Sequence, residues 1–313
     1  MKISLIIPCY NEEGNIKKLY ELIIKELKNI KYELIFINDG STDNTYQKII
    51  EIYEKDPDSI KGINFSRNFG KESAIYAGLV HATGEYTCII DGDLQQHPKY
   101  VMEMIKHLED NKDADQVVMI NNHINYPWLR KKLTKFFYYF INKISDTRFV
   151  ENASDFRSFR NNVKESILQL SETNRFSKGL FSWVGFNTIY LPYIVNNRGA
   201  GKSSFTIKKL IEYALDAFIG YSIKPIRVIT KAGAFISTVS FIYAIGVVIK
   251  KLLVPSTITG YTSMIFLILF FGGLQILFLG IIGEYISKTY LETKKRPIYI
   301  AKNKIGFDEK NIL

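Results

Sequence analysis

Short apolar runs alternate with amphipathic stretches along the first 120 residues. Five runs rich in Ile, Val, Phe and Tyr predict buried parallel strands at 3–9, 32–38, 60–65, 86–91 and 116–120. Stretches with helical spacing of apolar residues lie between them, at 15–27, 45–53, 71–81 and 98–111. This alternation predicts an α/β domain with a mostly parallel sheet that carries helices on both faces.

Two much longer apolar segments, at about 228–249 and 263–283, lie near the C-terminal end. Each is long enough to cross a bilayer, so we expect two transmembrane helices within 226–286, joined near 254–261. The alternative is a pair of buried helices in a soluble core. Arg227 and Lys231 precede the pair and Lys288 follows it, which predicts a multi-pass protein of the cell membrane with both termini cytoplasmic.

The region between the predicted sheet and the apolar pair has its own pattern. Residues 128–145 place apolar side chains at helical spacing among Arg and Lys, which predicts an amphipathic helix in the lipid headgroup plane. A helix packed on the core is the alternative. Residues 203–225 predict a second, juxtamembrane helix. The resulting organisation is a sheet domain at 1–202, the juxtamembrane helix, the membrane pair at 226–286 and a cytoplasmic tail at 287–313.

Charge and cysteine content restrict the partners. The 313 residues carry a net charge of +10, which suits a lipid bilayer with an anionic surface or an anionic substrate. Because no recognition motif accompanies the charge, we expect no nucleic-acid partner. Cys9 and Cys88 both fall in predicted buried strands, which favours a reduced compartment without a disulfide framework.

Polar segments follow four of the predicted strands. They read PCYNEE at 8–13, NDGSTD at 38–43, SRNFGK at 66–71 and DGDLQ at 91–95. Each segment alone is typical of a turn with a helix cap. In open α/β sheets, however, ligands bind beyond the carboxyl ends of the strands, where these four segments converge. Together they predict a binding site.

The DGD triplet gives this site a chemistry. Side chains two apart on an extended chain share a face, so Asp91 and Asp93 can reach one divalent cation. A hard cation with oxygen ligands commonly bridges substrate phosphates. The alternative is an acidic turn without a ligand. With the apolar pair, the triplet predicts an enzyme that handles phosphates at a membrane surface.

The ordered motifs resemble those of the inverting GT-A family 2 glycosyltransferases, and more narrowly the polyprenyl-phosphate glycosyltransferases. That group includes dolichol-phosphate mannose synthase and the bactoprenol glucosyltransferases. The resemblance covers nearly the whole chain, because it continues through SDFR at 154–157, NRFSKG at 174–179, WVGF at 183–186 and RGAGKS at 198–203. It implies a GT-A fold, that is, a Rossmann-like, mostly parallel catalytic domain, with interfacial amphipathic helices and two C-terminal transmembrane helices.

The resemblance implies roles for individual residues. Asp91 and Asp93 would bind Mg²⁺ or Mn²⁺ on the donor diphosphate, with Asp93 the stronger candidate for a direct ligand. Gln95 lies one alternate position further along the chain and would complete the site. The first loop would hold the base and ribose, and Asp39 would contact the base or the ribose. The full set of residues implied in nucleotide-sugar binding is Pro8, Tyr10, Asn11, Glu12, Asp39, Lys71, Asp91, Gln95, Arg198 and Lys202.

Asp155 resembles the catalytic aspartate of the family. A sugar acceptor would need a general base, but a phosphate monoester is mostly a dianion at neutral pH and is already nucleophilic. Asp155 is therefore either a base or a positioning residue, and a helix cap before Phe156 is the third alternative. Cationic side chains must offset the acceptor phosphate, and the candidates are Arg130, Arg157, Arg175 and Lys178.

The chain departs from the family pattern at a few positions. Asn38 and Gln96 replace acids that are common there, and no basic residue follows the strand at 116–120 before Arg130. The stretch directly after that strand therefore lacks the basic residues expected to contact phosphate, and Arg130 is the candidate to replace them. The DGD triplet is intact.

These observations predict inverting transfer of a hexose from a nucleotide sugar to undecaprenyl phosphate, with UDP-glucose and UDP-N-acetylglucosamine as the leading donors. The resemblance further implies a homo-oligomer, specifically a homotetramer. One alternative is a non-catalytic, membrane-anchored nucleotide-sugar binder. Another is a processive polysaccharide synthase, which the absence of a Q-x-x-R-W motif disfavours.

Overall fold

The structure, a computed structural model, describes residues 1–121, 132, 135, 138–139, 142–143, 149–173, 175–196, 224–253 and 260–307. The predicted amphipathic segments at 128–145 and 203–225 lie largely outside these residues. The described chain divides into two compact units, a sheet domain and the segment that carries the apolar helices.

The sheet domain contains eight described strands. They are β1 (Lys2–Cys9), β2 (Lys31–Asn38), β3 (Ile60–Phe65), β4 (Tyr86–Ile89), β5 (Gln116–Asn121), β6 (Ala153–Arg160), β7 (Thr188–Tyr193) and β8 (Ala301–Ile305). Its described helices are α1 (Ile16–Glu26), α2 (Thr45–Tyr53), α3 (Lys71–His81), α4 (Lys99–Asp110), α5 (Asn161–Gln169) and α6 (Ser177–Trp183). The strand order is β7-β5-β6-β4-β1-β2-β3-β8.

The centre of the sheet is parallel. β1 pairs with β2 on one side and β4 on the other, and β2 pairs with β3, all in the same direction. Their carboxyl ends therefore meet at one edge. The apolar face of α1 covers the sheet with Ile16, Leu19 and Ile23 fully buried. The predicted fold class is confirmed, and the predicted elements of the first 120 residues match within a few residues at each end.

Two further strands interrupt the parallel order. β6 lies between β4 and β5 and runs antiparallel to both, while β7 pairs in parallel with β5. Asp155 lies on β6, so the alternative of a helix cap before Phe156 is wrong. Because Arg157 and Ser158 on β6 pair with residues of β4, this strand brings the SDFR motif next to the end of β4.

The last strand differs from the predicted cytoplasmic tail at 287–313. β8 forms an edge of the sheet and pairs antiparallel with β3. The ring of Tyr299, just before β8, stacks on Phe65 at a centroid distance of 4.9 Å. The backbone bonds and this stacking give residues 299–305 a place in the sheet domain that their polar composition does not indicate.

The second unit holds two long helices, α7 (Lys224–Leu253) and α8 (Tyr261–Thr293). Within each, a segment long and apolar enough to cross a membrane has none of its residues buried: Ile226–Tyr243 and Phe270–Thr293. Phe235 and Ile276 are 71% and 73% exposed. Large apolar side chains left exposed on a helix indicate contact with lipid or a partner. The described chain therefore does not bury these helices in its own core, as that alternative would require.

Candidate active site

The four polar segments meet at the carboxyl edge of the parallel strands, as the sequence predicts. Asn11 joins the first two: its backbone N–H donates to Ser41 Oγ at 2.9 Å, and its Oδ1 accepts the Thr42 N–H at 2.9 Å. The backbone of Asn11 has a φ of +56°, a left-handed conformation that Asn tolerates better than most residues. The first loop is thus fixed to the second by a residue suited to that turn.

Asp39 fixes the second loop to the third. Its buried carboxylate accepts the N–H of Phe69 at 2.7 Å and of Gly70 at 3.0 Å, at the start of α3. Burial raises the pKa of Asp39, although these two N–H groups and Arg67 oppose the rise. The sequence predicted that Asp39 contacts the base or ribose, and that role stays a prediction beside the loop contact seen here.

Gly40 allows the same two loops to approach closely. Its φ is +61°, and a Cβ at this position would lie 2.3 Å from the backbone carbonyl carbon of Arg67. A side chain there would force the backbone of the third loop to move. Glycine at position 40 is therefore required by both conformation and space.

Lys71 occupies the middle of the site. Its ammonium lies 2.6 Å from Asp91 Oδ1 and 3.0 Å from Asp155 Oδ2, so one cation bridges two carboxylates. Partial removal of the ammonium from water would by itself lower the pKa of Lys71, but the charges of Asp91 and Asp155 outweigh this effect and hold the pKa above its usual value. Lys71 is a predicted site residue, and the structure joins it to the two aspartates.

The acidic triplet is ordered by a glutamine that the sequence did not assign to the site. Gln96 is buried, accepts the Asp91 N–H at 2.9 Å and donates to Asp91 Oδ2 at 2.8 Å. The predicted residue, Gln95, uses its backbone N–H to donate to Asp93 Oδ1 at 3.1 Å. The chain turns at Leu94, whose φ is +64°, so strand alternation does not continue past the triplet.

Gly92 and Tyr193 complete the surroundings of the triplet. A Cβ on Gly92 would lie 3.1 Å from Cys9 Sγ and 3.3 Å from the Pro8 carbonyl oxygen, so the triplet packs on the first loop. Burial, together with the charges of Asp91 and Asp93, raises the pKa of Tyr193 to about 12. Tyr193 lies at the end of β7, which the sequence did not predict.

Asp155 lies among positive charges. Burial alone would raise its pKa, but Lys71, Lys178 and Arg157 hold the pKa well below its usual range. Its second oxygen, Oδ1, is buried and receives no hydrogen bond from the described part of the chain. A carboxylate with a low pKa is a weak proton acceptor at neutral pH. These surroundings favour the positioning role over the base.

Glu72 adds a carboxyl group that the sequence analysis missed. It accepts the Ser177 N–H at 2.8 Å and a short hydrogen bond from the Ser177 hydroxyl, at the N-terminus of α6. Burial and the nearby Asp155 raise the pKa of Glu72. The residue directly follows Lys71, and its partner lies 105 residues away in sequence, so only the fold reveals the contact.

Two predicted phosphate ligands have other contacts. Arg157 is 4% exposed, and its guanidinium lies 4.3 Å from the centroid of the Phe181 ring and donates to the Ser154 carbonyl. Arg175 donates to the carbonyls of Leu170 and Ile167 at the C-terminal end of α5. These contacts stabilise packing and a helix end, which differs from the predicted contact with the acceptor phosphate.

The remaining predicted residues fall into two groups. Tyr10, in the first loop, is 47% exposed, and Pro8 and Glu12 in the same loop are partly buried. Lys178 is near enough to Asp155 to lower its pKa. Arg130, Arg198 and Lys202 lie outside the described residues.

Comparisons with known proteins identify the family. The family model "Glycosyl transferase family 2" matches residues 4–168, and the model "GtrB C-terminal hairpin" matches residues 224–289. The chain belongs to glycosyl transferase family 2. The resemblance inferred from the motifs is confirmed, and the second match covers both apolar helices.

Named relatives are similar over nearly their whole length. The chain is 43% identical to CsbB, named as a glycosyltransferase, of Bacillus subtilis over 303 residues, 96% of this chain and 91% of that protein. It is 39% identical over 307 residues to the prophage bactoprenol glucosyl transferase homolog of Escherichia coli K12, 96% and 99% of the two chains. It is 40% identical over 308 residues to the bactoprenol glucosyl transferase of Shigella phage SfV, 97% and 99%.

The donor set of this family 2 protein fits a divalent cation that is shared with a substrate. Among the residues that the structure describes, no three His, Cys, Asp or Glu side chains form a group that could hold a metal by themselves. Asp91 and Asp93 are hard oxygen donors, and Mg²⁺ is commonly bound through one or two carboxylates plus substrate phosphates. The residues present therefore suit a cation that arrives with a diphosphate.

Proposed function

We propose that this protein transfers a hexose from a nucleotide sugar, UDP-linked, to undecaprenyl phosphate at the cytoplasmic face of the membrane, with inversion at the sugar carbon. The observation that carries the proposal is the grouping of Asp91 and Asp155 around Lys71, beside Asp93, at the carboxyl edge of the sheet. The two exposed apolar helices and relatives named bactoprenol glucosyl transferase support a lipid-linked acceptor.

The donor side of the reaction uses the acidic triplet. Asp91 and Asp93 would hold Mg²⁺ or Mn²⁺ on the donor diphosphate, while Gln96 fixes the orientation of Asp91. A divalent cation supplies Lewis-acid stabilisation of the charge that grows on the leaving nucleoside diphosphate. The first loop, with the exposed Tyr10, would hold the nucleoside, and Arg198 and Lys202 would reach the diphosphate.

The acceptor side needs no proton to be removed. An oxygen of the phosphate dianion forms a bond to the sugar carbon, and the bond from that carbon to the donor diphosphate breaks, with the electron pair leaving on the diphosphate. Asp155, held ionised by Lys71, Lys178 and Arg157, would position the two lysines near the phosphates. Lys178 and Arg130 are the remaining candidates for contact with the acceptor.

The sugar is the least constrained part of the proposal. The relatives named glucosyl transferase favour glucose. N-acetylglucosamine is the second donor sugar, because no described contact distinguishes the two. An α-linked donor would give a β-linked lipid product.

Chain connectivity supports the proposed membrane topology. β8 follows α8 in the chain and pairs with β3, which precedes α7. A folded sheet lies on one side of a bilayer, so the segments before α7 and after α8 would share the cytoplasmic side, where nucleotide sugars are made. A homotetramer is the proposed assembly, tested by native mass spectrometry of the detergent-solubilised protein.

A transfer assay tests the function. Purified protein in detergent is given undecaprenyl phosphate, Mg²⁺ or Mn²⁺, and a panel of UDP- and GDP-sugars, and lipid products are weighed by mass spectrometry. One new lipid mass, dependent on metal, is the expected result and names the donor sugar. Binding of a nucleotide sugar without any lipid product would instead support the non-catalytic binder.

A further inference from the structure

Asp91 has a donor from the protein on each of its two oxygens. Lys71 Nζ lies 2.6 Å from Oδ1, and Gln96 Nε2 lies 2.8 Å from Oδ2. Each oxygen keeps a second lone pair, but a divalent cation bound to Asp91 would compete with these donors for the charge of the carboxylate. The two differ in how readily they can move.

Gln96 is the fixed partner. It is 5% exposed and is held by a second hydrogen bond, from the Asp91 backbone N–H to its Oε1. The side chain of Lys71 is 41% exposed and ends in a charge on a flexible stem. A divalent cation would also repel the ammonium while leaving the neutral amide in place. Lys71 is therefore the donor that such a cation would drive away from Asp91.

Lys71 contacts a second carboxylate besides Asp91, and a bound donor diphosphate would give it a third anionic partner. Its ammonium already contacts Asp155 Oδ2 at 3.0 Å, so it can release Asp91 and remain paired. The donor diphosphate would bring further anionic oxygens to the same place. An ammonium that is neutralised by those oxygens no longer competes for Asp91.

We propose that Lys71 is an internal counter-cation that competes with the divalent metal for Asp91 and yields it when the donor diphosphate binds. This inference rests on the proposed function. Metal and donor then bind cooperatively, and by thermodynamic linkage each strengthens the binding of the other by the same factor. The site takes up little metal without a donor.

The test measures Mn²⁺ binding by the electron paramagnetic resonance signal of the free ion, using full-length protein in detergent, with and without UDP. In the wild type, UDP should tighten Mn²⁺ binding. In Lys71→Met, Mn²⁺ without UDP should bind at least about fivefold more tightly than in the wild type, and the effect of UDP should shrink by the same factor. Lys71→Arg keeps the charge and should behave like the wild type.

Controls separate the possible failures. Lys106→Met removes an exposed lysine on α4 and should leave Mn²⁺ binding unchanged. Lys71→Gln, which keeps a hydrogen-bond donor beside both carboxylates, repeats the measurement if the methionine variant does not fold. Unchanged or weaker Mn²⁺ binding in the neutral variants would overturn the proposal for Lys71. Absence of Mn²⁺ binding in the wild type with UDP would overturn the metal assignment itself, and the proposal for Lys71 with it.

Discussion

The ammonium nitrogen of Lys71 lies 3.0 Å from Asp155 Oδ2, and this contact joins the start of α3 to β6 across 84 residues of sequence. Through this ion pair, the end of the third loop interacts electrostatically with the SDFR motif. Because positive charges hold the pKa of Asp155 low, the carboxylate is ionised at neutral pH, which suits the proposed positioning role.

Removal of Asp93 should abolish most of the activity. With Asp93→Ala we expect turnover to fall roughly a hundredfold or more, because charge on the leaving diphosphate loses its stabilisation. The transfer assay measures the change, and a melting curve verifies that the variant is folded. Asp110→Ala removes an exposed carboxylate on α4 and should retain full activity. Full turnover of Asp93→Ala would eliminate this residue as a metal ligand.

Gln96 should matter although it contacts no substrate in the proposal. Gln96→Ala removes the partners of the part-buried Asp91 N–H and Oδ2, and the loss of a typical hydrogen bond costs about 1 kcal/mol. We expect lower stability and a weaker affinity for Mn²⁺ in the presence of UDP. Gln47→Ala, at an exposed position on α2, is the control. Wild-type affinity in Gln96→Ala would show that Asp91 needs no positioning.

Gly40→Ala should destabilise the junction between the second and third loops. The added Cβ would lie 2.3 Å from the Arg67 backbone at a φ of +61°, so both the loop and the conformation are strained. We expect a loss of about 1–2 kcal/mol or more, together with weaker UDP binding. Gly14→Ala is the matched control, because no atom lies within 4 Å of its added Cβ. Equal melting temperatures for the two variants would contradict this account.

We predict that Glu33, at the end of the sheet opposite the candidate site, contributes to the stability of the fold in a pH-dependent way. It is 2% exposed and pairs with Lys61 at 2.8 Å and Lys2 at 3.0 Å. Burial alone would raise its pKa, but hydrogen bonds from Lys61, Ser4, Thr83 and Lys2 lower it from 4.5 to about 2.

Because the folded pKa is the lower one, ionised Glu33 stabilises the fold above about pH 4.5 by roughly 3 kcal/mol, and this contribution is lost as the pH falls toward 2. Glu33→Gln should therefore lower the melting temperature at pH 7, and the difference from the wild type should shrink below pH 4.5. The exposed Glu21→Gln should show little effect at either pH. A difference that stays constant down to pH 3 would refute the assignment to ionisation.

The sequence was sufficient for the parts of the fold whose signal is local. The strands β1 to β5 are apolar runs, and α1 to α4 carry regular apolar spacing, so pattern alone predicts both. β6 has the sequence ASDFRSFR and β8 has the sequence AKNKI. Both contain charged residues and lack the apolar run that indicates a buried strand. Their place in the sheet is set by pairing with β4 and β3, which lie far away in sequence.

The candidate site shows the same division. Asp91, Lys71 and Asp155 were predicted as site residues, but their grouping around one ammonium depends on three distant elements. The assignment of Gln95 assumed that alternation continues beyond the strand. Since β4 ends at Ile89 and the chain turns at Leu94, the next residue, Gln96, is the one that contacts Asp91.

The position of β8 also dictates an order of events during synthesis. The ribosome makes β3 early, then both apolar helices, and only afterwards the strand that covers the edge of β3. Until residues 301–305 emerge, that edge exposes unpaired backbone groups, and Phe65 lacks the Tyr299 ring that stacks on it. In the membrane protein proposed above, a nascent chain that stalls after α8 would carry an unfinished sheet, so the sheet domain is completed only after both apolar helices have been made.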